Sequence, residues 1–132
     1  MREIKFRAWD KSNQCMVYPG EENTVFTFTN GILCVECLET VWKEGGGETY
    51  EKDEFFQVDC EIMQFTGLKD KNGKEIYEGD FVQGGGCLKP HDVRWNDAGR
   101  WSFGESLLDF TQSTMLLLEV IGNIYENPEL LK

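Results

Sequence analysis

Residues 63–80, MQFTGLKDKNGKEIYEGD, decide how the rest of this chain is read. A strand-forming run from Cys60 to Phe65 leads in, and Gly67 lets the backbone change sign. Asp70-Lys71-Asn72-Gly73 is then a tight-turn tetrad with glycine where a positive φ is easiest. A second break at Glu78-Gly79-Asp80 precedes Phe81-Val82, where a strand restarts. The stretch therefore alternates strands with turns, as a small antiparallel sheet requires, and it carries no catalytic chemistry.

Toward the C-terminus, Phe81-Val82 runs into Gly84-Gly85-Gly86, a flexible break. The best hairpin candidate follows: Asp92 to Trp95, a turn at Asn96-Asp97-Ala98-Gly99, and Arg100 to Phe103. Ser106 to Gln112 fits a helical turn or a short strand equally well. The apolar run from Met115 to Ile121, broken only by Glu119, predicts a strand buried largely on both faces, bending at Gly122-Asn123 into Ile124-Tyr125. Asn127 is placed to cap a last helical turn with Pro128 in its first position.

Toward the N-terminus, Ile4, Phe6 and Ala8 alternate with Lys5, Arg7 and Trp9, which predicts a strand with one buried face. Asp10-Lys11-Ser12-Asn13 has turn chemistry, and Cys15 to Tyr18 returns antiparallel. Val25 to Thr29, closed by Asn30-Gly31 and answered by Ile32 to Val41, predicts a second hairpin. Residues 44–54, EGGGETYEKDE, are rich in Gly and acid and predict a solvated loop that separates two halves. The resulting fold class is mainly β. A small SH3-like antiparallel β-barrel is expected in residues 60–132, with an N-terminal β region, hairpin arm and acidic Gly-rich loop in residues 1–59; the two could also pack as one compact unit.

The chain has 132 residues and a formal charge of −11, so its field repels phosphate backbones unless a local basic face overrides it. An acidic surface suits a basic partner, or imitates nucleic acid toward a DNA-binding protein. The odd set Cys15, Cys34, Cys37, Cys60 and Cys87, without a secretory leader, predicts reduced thiols. No apolar run approaches bilayer length, so a soluble, cytoplasmic protein without a membrane partner is expected.

Candidate chemistry is sparse. Cys34-Val35-Glu36-Cys37 is a C-x-x-C, and Cys87 with His91 completes a four-ligand zinc set on paper. Against zinc, residues three apart in a strand point to opposite faces, and buried free cysteine is the commoner role. His91, the only histidine, lacks a sequence-specified orienting group for a Cys-His nucleophile. Asp70, Glu75, Glu78 and Asp80 crowd the central stretch without the spacing of a calcium loop. Arg94, Trp95, Arg100 and Trp101 flank one turn and could stack bases or grip a peptide, whereas the plainer reading is core and cross-strand packing. Both triple-glycine runs lack the setting of a phosphate loop. No catalytic residue and no cofactor emerges.

Three blocks, REIKFRAWD at the start, MQFTGLKDKNGKEIYEGD in the centre and EVIGNIYENPELL at the end, resemble the YopX family of proteins from temperate phages and prophages. They cover roughly a third of the chain. The resemblance implies a β-rich fold with an SH3-like C-terminal part, self-assembly into a homo-oligomer, and a gene carried by a phage in a bacterial host, without an established reaction. It points to a non-enzymatic accessory protein that binds a host or phage protein. The alternative is a nucleic-acid-related role, through the Arg94–Trp101 hairpin or through acidic mimicry of DNA.

Overall fold

The computed structural model describes residues 4–84, 87–95, 100–103 and 112–131. Its elements in chain order are β1 (Phe6–Asp10), β2 (Cys15–Val17), β3 (Thr24–Thr29), β4 (Ile32–Gly45), β5 (Glu48–Gln57), β6 (Cys60–Lys69), β7 (Glu75–Tyr77), β8 (Asp80–Gly84), β9 (Cys87–Trp95), β10 (Trp101–Phe103), α1 (Gln112–Met115), β11 (Leu118–Asn123) and a 3₁₀ turn at Pro128–Leu131. The fold is mainly β, and its paired strands run antiparallel. Two compact units divide it. One comprises residues 1–6 with 63–132, the other residues 7–62, and the chain passes between them within β1 and within β6.

The unit of residues 63–132 is built on a sheet ordered β10-β9-β8-β11. Ile76, Val82, Val93, Trp101, Phe103, Met115 and Leu118 form its buried core, with Leu68 and Val120 packed against them. The 63–80 stretch folds as its turn chemistry dictates. Asp70, buried to 1% exposure, accepts the backbone N–H groups of Asn72 and Lys74 on Oδ1 at 2.8 and 2.9 Å and that of Val120 on Oδ2 at 2.9 Å. One carboxylate thus closes its own turn and anchors β11. Thr66 Oγ1 donates to the Ile76 carbonyl at 2.7 Å, and the Gly79 N–H donates to Val93 at 2.8 Å, tying the β7–β8 corner to β9. Beta strands β8 to β11 form one antiparallel sheet, while β6 and β7 pair in another.

In the unit of residues 7–62, β1 and β2 form the expected first hairpin, with Ala8 opposite Val17. The Asp10 carboxylate organises its turn, accepting the N–H groups of Ser12 and Asn13 at 2.9 and 3.1 Å. Ala8, Val17 and Val35 are the buried centre, and Phe26, Val58, Cys60 and Ile62 pack on it. The second hairpin also forms, with β3 and β4 joined by Asn30 and Gly31 at φ 54° and 79°.

Four expectations are corrected. Residues 44–54 are not a loop: β4 and β5 continue through them as one long hairpin closed by Gly46 and Gly47, whose φ values of 61° and 81° suit a two-residue type I′ turn. The acidic composition is offset by cross-strand contacts, such as Thr40 donating to Asp53 at 2.7 Å and Lys43 pairing with Glu54 at 3.0 Å. Beta strand β1 does not bury one face only, since Arg7, Ala8, Trp9 and Asp10 are all buried. The run from Met115 to Ile121 is not a single strand; Met115 ends α1, Leu116 and Leu117 are exposed, and β11 begins at Leu118. Asn127 does not cap the final turn with its side chain, because its Oδ1 accepts the Asn123 N–H at 3.2 Å, while its backbone carbonyl takes Leu130 N–H. The turn at residues 96–99 and the ambiguous segment from 106 lie outside the described residues, apart from Gln112, which opens α1.

Candidate functional site

The strand periodicity of β4 separates Cys34 from Cys37. Register places Cys37 on the face of β4 that carries Val35 and Leu33, and Cys34 on the other. Cys87 and His91 lie on β9 in the other unit, where the His91 ring meets Phe103 edge-on at 6.3 Å between centroids. Among the described residues no group of three or more His, Cys, Asp or Glu side chains is placed to hold a metal ion. Cys34 and Cys60 instead line one cleft of about 410 Å³ with Ile32, Val35, Gln57 and Ile62. Burial, then the nearby Asp10, Asp59 and Glu61, pushes the Cys60 thiol up from its ordinary value, which disfavours the thiolate that nucleophilic chemistry needs.

The Arg94–Trp101 hairpin is real, but alternation sorts its side chains. Trp95 pairs with Trp101 and Val93 with Phe103, so these four share the face that leads into the core; Arg94, opposite Ser102, lies on the reverse face. The two indoles meet edge to face at 5.0 Å between centroids, Trp101 buried and Trp95 52% exposed. They form one side of a cleft of about 430 Å³ completed by Ile4, Gln64 and Glu78. Arg94 pairs with Asp92 at 2.9 Å, and Arg100 is exposed. Arg94 is therefore on the opposite face from Trp95 and Trp101, and base stacking backed by Arg on a common face is not what Arg94 and Trp95 offer.

The acidic residues of the central stretch also have structural assignments. Asp70 holds backbone amides as described, and Asp80 Oδ2 accepts the Tyr77 N–H at 2.8 Å. Glu75 pairs with Lys5 at 2.5 Å and accepts the Tyr77 hydroxyl at 3.1 Å. The Lys5 ammonium, followed by the Tyr77 hydroxyl, holds the Glu75 carboxyl below its usual range against the opposing effect of burial.

The feature that sequence reasoning missed is the outer face of the β3-β4-β5 sheet. The register puts Ile32, Leu38 and Trp42 of β4 on one face with Val25 of β3 and Phe55 of β5. Trp42 is 69% exposed, Ile32 66% and Phe55 55%. On the reverse face Phe28, Tyr50 and Phe56 are exposed as well. Val25 and Phe55 flank Leu38 on the first face, Ile32 and Trp42 lie toward opposite ends of β4, and exposed apolar side chains sharing one face make it a candidate interaction surface. The signal was present as alternation within residues 32–42, but reading residues 44–54 as a loop removed the partner strand that makes it a surface.

Among the described residues no helix is long and apolar enough to cross a membrane. The family model described as YopX protein matches residues 5–132. The crystal structure of protein EF1440 from Enterococcus faecalis is similar over 100% of both chains, at 33% identity and a TM-score of 0.72. No curated protein matches the chain. A match that takes in both units, with a solved structure that follows the same fold from end to end, makes the chain a member of the YopX family.

Proposed function

We propose that this chain is a non-enzymatic accessory protein of a phage or prophage, acting in the bacterial cytoplasm, that self-assembles and binds a host or phage protein. The observation that carries this reading is the set of exposed apolar side chains on one face of β3-β4-β5, where Val25 and Phe55 flank Leu38 and where Ile32 and Trp42 lie toward opposite ends of β4. Such side chains stay in water only at a cost of about 25 cal/mol per Å² of apolar surface, which covering by a second surface recovers. The buried carboxylates support a scaffold role, since Asp10, Asp70 and Asp80 each accept backbone amides of their own turns.

Affinity capture from a host lysate tests the reading, with the wild-type chain and a Trp42→Ser/Phe55→Ser variant compared by mass spectrometry. The expected result is a defined protein enriched by the wild type and at least ~10-fold less by the variant. Recovery of nothing above background by a strictly monomeric wild type contradicts it. The charge of −11 also favours acidic mimicry of DNA, for which the captured protein would be basic and would be released by competing DNA.

A further inference from the structure

We infer that the outer edge of β5 is a docking site for an extended, Lys- or Arg-bearing strand of a partner protein, which joins the sheet beyond β5. The inference rests on the protein-binding reading above and specifies the partner's chemistry.

In the order β3-β4-β5, β5 pairs with β4 on one side, and no strand of the described residues pairs with it on the other. Alternate N–H and C=O groups along residues 48–57 therefore point away from the sheet. At about 3.3 Å per residue this is roughly 33 Å of open backbone. Native edges are commonly blunted by short length, proline, bulges or charged side chains. Beta strand β5, ETYEKDEFFQ, has no proline, and its ladder with β4 runs from Glu36–Gln57 to Gly45–Glu48 without a register shift, so its guard is its charge, which is mostly acidic and excludes some strands but not cationic ones.

Charge selects the occupant. Glu48, Glu51, Asp53 and Glu54 outnumber Lys52 on this strand. Glu54 is already held by Lys43 at 3.0 Å and Lys52 at 3.9 Å, whereas Glu48 and Glu51 make no ion pair among the described residues. A second copy pairing edge to edge through β5 would set two acidic strands side by side, and like charges directly opposite are destabilising. A cationic strand is stabilised at the same positions. Alternation adds a pattern: Glu51, Asp53 and Phe55 share one face, so the incoming strand places basic residues across from the first two and an apolar residue across from Phe55. On the other face Tyr50 and Phe56, both exposed, offer apolar contact. Main-chain hydrogen bonds would supply affinity and these alternating side chains the selectivity.

The probe is an end-blocked peptide about ten residues long, with Lys at two successive positions of one face and Val at the third and with Val and Tyr on the other face, added to the full chain. Binding should slow hydrogen exchange within residues 48–57, weaken as salt rises, and fall roughly tenfold in a Glu51→Lys/Asp53→Lys variant. Glu51→Gln/Asp53→Asn, which keeps side-chain shape, should give an intermediate loss while circular dichroism shows the sheet intact. Methylating alternate peptide amides on the edge-facing side should abolish binding. Equal binding by the methylated peptide, protection confined to other strands, or indifference to both variants would overturn the inference. A chain that self-associates and captures its protein partner yet ignores the peptide defeats the edge assignment alone; a monomer that captures nothing defeats the functional reading beneath it.

Discussion

Asp70 does the work of several residues. Its Oδ1 takes two amides of its own turn and its Oδ2 takes Val120, fifty positions along the chain, from a site almost closed to water. Asp70→Ala leaves three N–H groups without that acceptor and should cost about 3 kcal/mol in urea unfolding, at roughly 1 kcal/mol per amide. Asp70→Asn keeps the volume but turns an NH₂ toward at least one donor, so a loss of about 1–2 kcal/mol is expected. The Lys5–Glu75 pair sets a pH dependence. Because the folded carboxyl lies below its usual range, the stabilisation is complete above the unfolded value and disappears as pH falls through the folded one. Lys5→Met should flatten the acid limb of the stability profile, with a loss near neutrality of only about 0.5 kcal/mol because both side chains are part-exposed. The Asp70 turn itself was legible in DKNG, since aspartate and glycine at those offsets specify it. Its bond to Val120 and the reach of Lys5 to Glu75 were not, because nothing local encodes a contact across so many residues.

Hairpins make up most of this fold, and their legibility depended on turn residues. Asn30-Gly31 announced β3–β4 because both residues tolerate the positive φ that a type I′ turn requires. Gly45-Gly46-Gly47 sent a weaker signal: three glycines amid glutamates resemble a linker, and Glu, Lys and Asp have low intrinsic preference for strands. Pairing with β4 overrides that preference, so β5 is a strand by tertiary context. For the same reason the apolar sheet face, the candidate surface, stayed hidden while the zinc set and the Arg-Trp hairpin drew attention by composition. The Met115 run shows the opposite failure, where a continuous apolar string cannot distinguish a helical turn from a strand. Beta strand β8 ends at Gly84, with φ 125°, where an added Cβ would lie 2.7 Å from the Leu117 carbonyl oxygen. That atom is backbone next to the Leu118–Gly84 register pair and has little room to yield. Gly84→Ala should therefore destabilise the chain by about 2–4 kcal/mol, from backbone strain and overpacking together, measured by chemical denaturation.

At the scale of the whole molecule, two properties coexist. The charge of −11 sets copies to repel at low ionic strength, while the β3-β4-β5 face exposes apolar side chains through which we propose they associate. Self-association should accordingly strengthen as salt screens the repulsion, whereas capture of a cationic strand should weaken. Family membership was readable from three blocks of turn and core residues and the β fold from strand and turn patterns along the chain; the surface proposed to bind a partner was readable only once β5 had a place. The most direct test of that role is molar mass by light scattering over a range of concentrations, at low and moderate salt, for the wild type and for Trp42→Ser/Phe55→Ser. A wild-type mass that rises above the 15.2 kDa monomer, more steeply with salt, and a variant that stays near it are the results expected. A wild type that remains monomeric at every concentration, or a variant that assembles just as well, would contradict the account.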